Sequence, residues 1–225
     1  MTPNQITALR IMMGFVAVAL FTFAAGTNSA RGAGLIAVAL TLAAIVLDAV
    51  DGYVARTRKL ATPLGAQIDI LGDRILENLY FTFFAVSGLI SVWVPLLFFV
   101  RGTATDFVRS LAAREGRSGF GRNSMLDSRL ARQLVASRWS RAAYGALKCA
   151  CFCWLGLELS LPASAAISRA SALLVAATVF FCIVRGLPVL FEGRRYVLAL
   201  AASSADGTLP NLPHAAQVTR PRAAA

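Results

Sequence analysis

Apolar residues run along this chain in long blocks separated by short polar segments. Six stretches, at about 5–25, 33–56, 66–90, 92–113, 141–160 and 164–190, are dominated by Ala, Val, Leu, Ile and Phe and do not overlap. Crossing the hydrocarbon core of a bilayer takes roughly 20 mainly apolar residues in helical form. The pattern therefore predicts an all-α integral membrane protein, a six-transmembrane-helix bundle, with one domain over residues 1–200. Residues 201–225, rich in Ala and Pro with Pro210, Pro213 and Pro221, read as a disordered tail. Met1–Thr7 carries no Lys or Arg, so the first apolar stretch reads as a retained helix rather than a cleaved secretory signal.

Composition agrees with the pattern: 57% of the 225 residues are hydrophobic and 15% charged, and the mean hydropathy is +0.66. The formal charge of +11 could point to nucleic acid, but its placement points to topology and anionic lipid instead. Arg56, Arg58 and Lys59 lie between spans two and three, and Arg114, Arg117, Arg122, Arg129, Arg132, Arg138 and Arg141 lie in or beside the connection between spans four and five. The opposite loops contain only Arg31. By the positive-inside rule the 57–65 loop, the 114–140 connection and both termini are cytoplasmic. The expected location is the bacterial inner membrane, with membrane lipid and no nucleic acid as partner.

The remaining reactive side chains exclude several chemistries. Cys149, Cys151 and Cys153 alternate within span five and Cys182 lies in span six, spacing that fits neither a zinc knuckle nor a CxxC redox pair. They read as small packing residues. The single histidine, His214, sits in the tail, which excludes the paired-histidine phospholipase D type of lipid transferase. The 114–140 connection, with Gly116, Gly119 and Gly121, is the one long loop, and long loops in compact chains tend to be functional.

The chemistry concentrates where the second and third apolar stretches meet. Asp48 and Asp51 are three residues apart, and Asp69 and Asp73 four apart, so each pair shares one face of its helix. An acid at the centre of a membrane helix costs about 2.5–3.5 kcal/mol on the insertion scale, so such groups face a bundle interior or a wet cavity. The short 57–65 loop makes the helices antiparallel neighbours, and the two claws can meet in a polar cavity at the cytoplasmic side. Four hard oxygen donors suit one or two Mg²⁺ or Mn²⁺ ions. Gly52 and Gly65 leave room for a ligand or a neighbouring helix beside the acids, and Arg56, one turn beyond Gly52, can meet a phosphate oxygen. Two other readings compete. One pairs the acids with Arg56 and Arg74 as buried salt bridges, but two arginines cannot neutralise four aspartates plus Glu77. The other is a cation channel or transporter, which gives no reason for Gly52, Arg56 or Gly65.

The series Asp48, Asp51, Gly52, Ala55, Arg56, Gly65, Asp69, Asp73 resembles the CDP-alcohol phosphatidyltransferase signature at every position, and Pro3-Asn4-Gln5-Ile6-Thr7 followed by Arg10 is similar to that family's start. The resemblance covers most of the chain. It implies that Asp48, Asp51, Asp69 and Asp73 hold divalent metal against the diphosphate of a CDP-diacylglycerol donor, and that Asp73 is the general base for a polar alcohol acceptor. It further implies that Gly52, Ala55, Arg56 and Gly65 contact the nucleotide and diphosphate. Arg109, either Arg138 or Arg141, and Arg185 resemble basic positions of members that use phosphorylated acceptors, which favours a phosphorylated polyol such as glycerol 3-phosphate or inositol phosphate. Arg101, in mid-span, is expected to face inward and pair with Asp106. Asp69-Ile70-Leu71-Gly72-Asp73-Arg74 departs from the Asp-Pro-x-Ala-Asp-Lys usual in bacterial phosphatidylglycerophosphate synthases, and Glu77-Asn78 departs from the inositol-phosphate branch. A homodimer is compatible with this reading.

Overall fold

The computed structural model describes residues 3–26, 31–57, 63–117, 124–162 and 164–205; of residues 3–4, 49–57, 63–64, 66, 138 and 203–205 it describes the backbone alone. Helix α1 is Pro3–Gly26, α2 Arg31–Thr57, α3 Pro63–Val86, α4 Trp93–Arg114, α5 the single turn Arg129–Ala131, α6 Arg138–Ser160 and α7 Ala165–Ala205, with a π turn at Arg132–Ala136 following α5. No strand occurs among the described residues.

Six long helices thus stand where six apolar stretches were read. Four contain segments long and apolar enough to cross a membrane: Gln5–Gly26, Arg31–Asp48, Trp139–Ser160 and Ala165–Ala202. The other two, α3 and α4, are long enough but carry more charge: Asp69, Asp73, Arg74 and Glu77 in α3, and Arg101, Asp106, Arg109 and Arg114 in α4. The 41 residues of α7, with Pro188 inside the helix, are twice the roughly 20 that a single crossing of the hydrocarbon core needs. Its last five residues run into the segment expected to be tail, and residues 206–225, with His214, lie outside the described residues.

Two glycines end helices where the chain must turn. Gly88 has φ 78° and Gly116 φ 70°, the left-handed region that only glycine enters without strain. At the first, Leu89 N–H reaches back to Phe84 O (3.1 Å) and Gly88 N–H to Ala85 O (3.0 Å). At the second, Arg117 N–H reaches Ala112 O (3.0 Å) and Gly116 N–H reaches Ala113 O (3.0 Å). Both are Schellman closures, which satisfy carbonyls that the end of a helix leaves open.

The tertiary contacts divide the chain into two compact units. The first comprises Met1–Gly102 and Arg141–Ile183. Its core is aromatic: Phe21, Tyr80, Phe81, Phe84, Phe98 and Phe152 are buried together, with ring centroids 4.3 Å apart for Phe81 and Phe98 and 5.0 Å for Tyr80 and Phe152. The Tyr80 hydroxyl donates to Thr41 Oγ1 (3.0 Å), and Thr41 donates in turn to Ala37 O (2.8 Å), so the one polar atom of that ring is satisfied. Cys151 and Cys182 are buried in this core, and all four cysteines are free. The packing role read from sequence fits that placement.

The second unit comprises Thr103–Ser140 and Val184–Ala225. Val108, Leu111 and Ala112 of α4, Met125, Leu126, Ala131 and Val135 of the connection, and Val189 and Tyr196 of α7 form its core. The connection is clamped to α7: Arg195 pairs with Asp127 and donates to Met125 O (2.7 Å), while Glu192 accepts from Asp127 N–H (2.6 Å) and Ser128 N–H (3.3 Å). Ser128 caps α5 by accepting from Ala131 N–H (3.0 Å). Residues 118–123, with Gly119, Gly121 and Arg122, lie outside the described residues.

Candidate functional site

Asp48 stands near the end of α2, and Asp69 and Asp73 stand one turn apart on α3. One carboxylate oxygen from each lies within 4.8 Å of the others. Two helices therefore bring three of the four expected acids together. The side chain of Asp51 lies outside the described residues, as do those of Ala55 and Arg56 and the surroundings of Gly52. Gly65 falls in the first turn of α3.

At the centre of these carboxylates is a cation. Arg10 of α1 pairs through Nη1 with Asp48 and with Asp69 Oδ1 (3.2 Å), and through Nη2 with Asp73 Oδ1 (2.9 Å). Its Nε–H donates to Ala44 O of α2 at 3.2 Å, one turn before Asp48. One side chain thus ties three helices at a single point. The Arg10 side chain is 3% exposed, whereas those of Asp48, Asp69 and Asp73 are 35%, 50% and 46% exposed. The guanidinium lies on the inner side of the cluster and the carboxylates open outward.

Close packing makes this possible. A Cβ built at Gly72, which lies between Asp69 and Asp73, would come 2.6 Å from Thr7 Cγ2. Thr7 is itself buried. The missing side chain lets α1 approach α3 closely enough for Arg10, one turn beyond Thr7, to reach both α3 acids.

The donor set fits a hard divalent cation. Oxygens around Mg²⁺ at about 2.1 Å stand about 3–4 Å apart, close to the spacing already present. Three carboxylates and one guanidinium together carry two net negative charges, which one such ion neutralises. The outward-facing oxygens have lone pairs that Arg10 does not use.

Arg10 is the residue that sequence reasoning did not place. It is the only charged residue of α1, and an isolated charge in an apolar helix predicts a buried partner; that signal was present. Arg74, considered as a partner of the aspartates, pairs instead with Glu77 Oε2 (3.2 Å). Glu77, 3% exposed, also meets Lys148 Nζ (3.6 Å) and accepts from the Tyr144 hydroxyl (3.4 Å). This forms a second polar cluster on α3 and α6.

The arginines expected to hold an acceptor divide between the units. Arg141, exposed at the start of α6, belongs to the unit that contains the aspartates. Arg109 and Arg185 belong to the other. Arg109 pairs with Asp106 (3.3 Å), the acid expected to pair with Arg101, and the Nε of Arg101 is buried with no hydrogen-bond partner among the described residues. Arg185 donates to Leu134 O (2.8 Å), Val135 O (3.0 Å) and Ser140 Oγ. The Arg138 side chain lies outside the described residues.

Comparison with known proteins adds to this geometry. A family profile described as CDP-alcohol phosphatidyltransferase matches residues 1–184. Curated relatives from two strains of Mycobacterium tuberculosis, each named a probable phosphatidylglycerophosphate synthase, are 29% identical to this chain over 113 residues, covering 50% of this chain and 53% of theirs. The chain spans about half the length of these curated relatives.

Proposed function

Because the chain belongs to the CDP-alcohol phosphatidyltransferase family, we propose that it transfers the phosphatidyl group of CDP-diacylglycerol to a polar alcohol and releases CMP. The observation that carries this reading is the convergence of Asp48, Asp69 and Asp73 from two helices within 4.8 Å, at the spacing of the family signature. In this reading all six long helices cross the bacterial inner membrane, both termini are cytoplasmic, and the site opens on the cytoplasmic side.

Asp48, Asp51, Asp69 and Asp73 would hold Mg²⁺ or Mn²⁺; when bound, the ion supplies neutralisation of the charge on the diphosphate and on departing CMP. The chain's own groups orient the reaction. Gly52, Ala55, Arg56 and Gly65 line the nucleotide and diphosphate path, with Gly positions admitting the backbone of the ligand and Arg56 donating to a phosphate oxygen. Asp73 accepts the proton of the acceptor hydroxyl as its oxygen attacks the β-phosphorus; the bond from that phosphorus to the bridging oxygen breaks, and CMP leaves with the electron pair. Asp73 is half-exposed and accepts a hydrogen bond from Arg10, which holds its carboxylate in place at the open side of the cluster.

The acceptor proposed is a phosphorylated polyol. Arg109, Arg138, Arg141 and Arg185 support that class, and the name carried by the mycobacterial relatives supports glycerol 3-phosphate within it. Purified protein incubated with CDP-diacylglycerol, Mn²⁺ and a panel of acceptors should release CMP with glycerol 3-phosphate or an inositol phosphate. Asp48→Asn, Asp69→Asn and added EDTA should each abolish that release. CMP release that survives these changes would refute the aspartate site, and divalent-ion flux in proteoliposomes without CMP from any acceptor would replace the transferase reading with transport.

A further inference from the structure

The Arg10 guanidinium contacts the three carboxylates that the transferase reading uses to bind metal. Its side chain is 3% exposed and meets Asp48, Asp69 and Asp73, and its Nε is separately anchored on Ala44 O at 3.2 Å. We propose that Arg10 is a built-in counter-cation: it holds the metal-free aspartate claw together and competes with the divalent ion for it. The inference rests on the metal-binding reading of Asp48, Asp69 and Asp73.

Three observations carry it. First, the carboxylates are contributed by two helices and the cation by a third, and among the described residues Arg10 is the cation that meets all three, so removing it leaves three like charges facing one another. Second, an ion bound about 2.1 Å from the same carboxylates would stand only a few ångströms from a fixed positive charge in a partly desolvated site, where repulsion is weakly screened. Third, the Nε anchor on Ala44 O (3.2 Å) restrains the guanidinium beside the carboxylates, so its charge stays in the site when an ion enters. Arg10 also has a competing effect, since it preorganises the three carboxylates and so favours metal binding. Repulsion between a divalent and a monovalent charge at such range outweighs the loss of rotamer freedom of three short side chains. The net effect of Arg10 is to weaken divalent binding while stabilising the empty protein.

The test uses the full-length chain in detergent, without substrate. Mn²⁺ binding is titrated by the electron paramagnetic resonance signal of free Mn²⁺, and thermal unfolding is recorded in EDTA and in saturating Mn²⁺. Arg10→Gln should bind Mn²⁺ about tenfold more tightly than the parent, unfold at a lower temperature in EDTA, and regain most of that loss in Mn²⁺. Arg10→Lys keeps the charge without the fork, so its Mn²⁺ affinity should stay within about threefold of the parent. Should Arg10→Gln survive only in Mn²⁺, its collapse on chelation is the predicted instability of the empty claw, and its affinity is read by chelator competition. Unchanged or weaker Mn²⁺ binding in Arg10→Gln, or equal tightening in Arg10→Lys, would overturn the proposal and leave Arg10 as scaffold. Absence of Mn²⁺ binding in the parent and both variants would overturn the metal site itself, whereas binding by the parent without tightening in Arg10→Gln overturns the role of Arg10 alone.

Discussion

Thr7 of α1 occupies the space that a side chain at Gly72 of α3 would need, with a Cβ at Gly72 falling 2.6 Å from the Thr7 methyl group. Thr7 is β-branched and lies in a helix, so its side chain has little freedom to swing away. Gly72→Ala must therefore move α1 off α3, at a cost of about 1–3 kcal/mol, and should lower the unfolding temperature. Gly145, in α6, has open space around it, so Gly145→Ala should have the opposite sign, a gain of about 0.5–1 kcal/mol from helix propensity. A Gly72→Ala protein as stable as the parent would show that α1 and α3 do not pack as closely as described.

The buried Glu77 balances more than one cation. Replacing it with Gln removes the carboxylate that both Arg74 and Lys148 contact, and breaking a buried pair costs about 3–5 kcal/mol. Lys148→Met should cost less, because Arg74 and the Tyr144 hydroxyl still satisfy Glu77. Unfolding in mixed micelles compares the two, and a Lys148→Met protein less stable than Glu77→Gln would refute this ordering.

Arg185 has a structural task that bears on the acceptor hypothesis. Its guanidinium holds the carbonyls of Leu134 and Val135 and the hydroxyl of Ser140. Hydrogen bonds from a charged donor are worth about 1.5–3 kcal/mol each, so Arg185→Ala should lower the melting temperature, and Arg185→Lys should recover only part of it. An unchanged melting temperature with a raised acceptor KM would assign Arg185 to substrate instead. Arg141→Ala, at an exposed position, should raise the acceptor KM about ten- to a hundredfold with little change in melting temperature.

The clamp between the 124–131 segment and α7 should respond to acid. The hydrogen bond from Arg195 holds the Asp127 carboxyl below its ordinary value, with the charges of Arg195, Arg117 and Arg132 acting in the same direction. A carboxyl whose folded-state value is depressed contributes stability above its unfolded value of about 3.9, and loses it as pH falls through the folded value. The parent should therefore exceed Asp127→Asn in melting temperature near neutral pH, with the gap closing as pH drops below about 4. The gap should be small, since the Asp127 side chain is 60% exposed. A gap that widens in acid would contradict the assignment.

The positions of the long helices and of the acid pairs were legible in the sequence, because both depend on local spacing. Apolar runs of about 20 residues mark helices that suit a membrane, and intervals of three and four place Asp48 with Asp51 and Asp69 with Asp73 on single faces. The Schellman closures at Gly88 and Gly116 were equally local, though only the structure showed their positive φ. Which cation meets the acids was decided by tertiary structure. Arg74 is beside Asp73 in the chain and pairs with Glu77, whereas Arg10, 59 and 63 positions away, pairs with Asp69 and Asp73. Such pairing depends on how close two helices come and how each is rotated. Those quantities are set by the volumes that meet between helices, here the Thr7 methyl against the bare Cα of Gly72, and no periodicity along a single helix records them. For the same reason the burial of Glu77 against α6 and the clamp of Arg195 on Asp127 emerged only when distant segments were brought together.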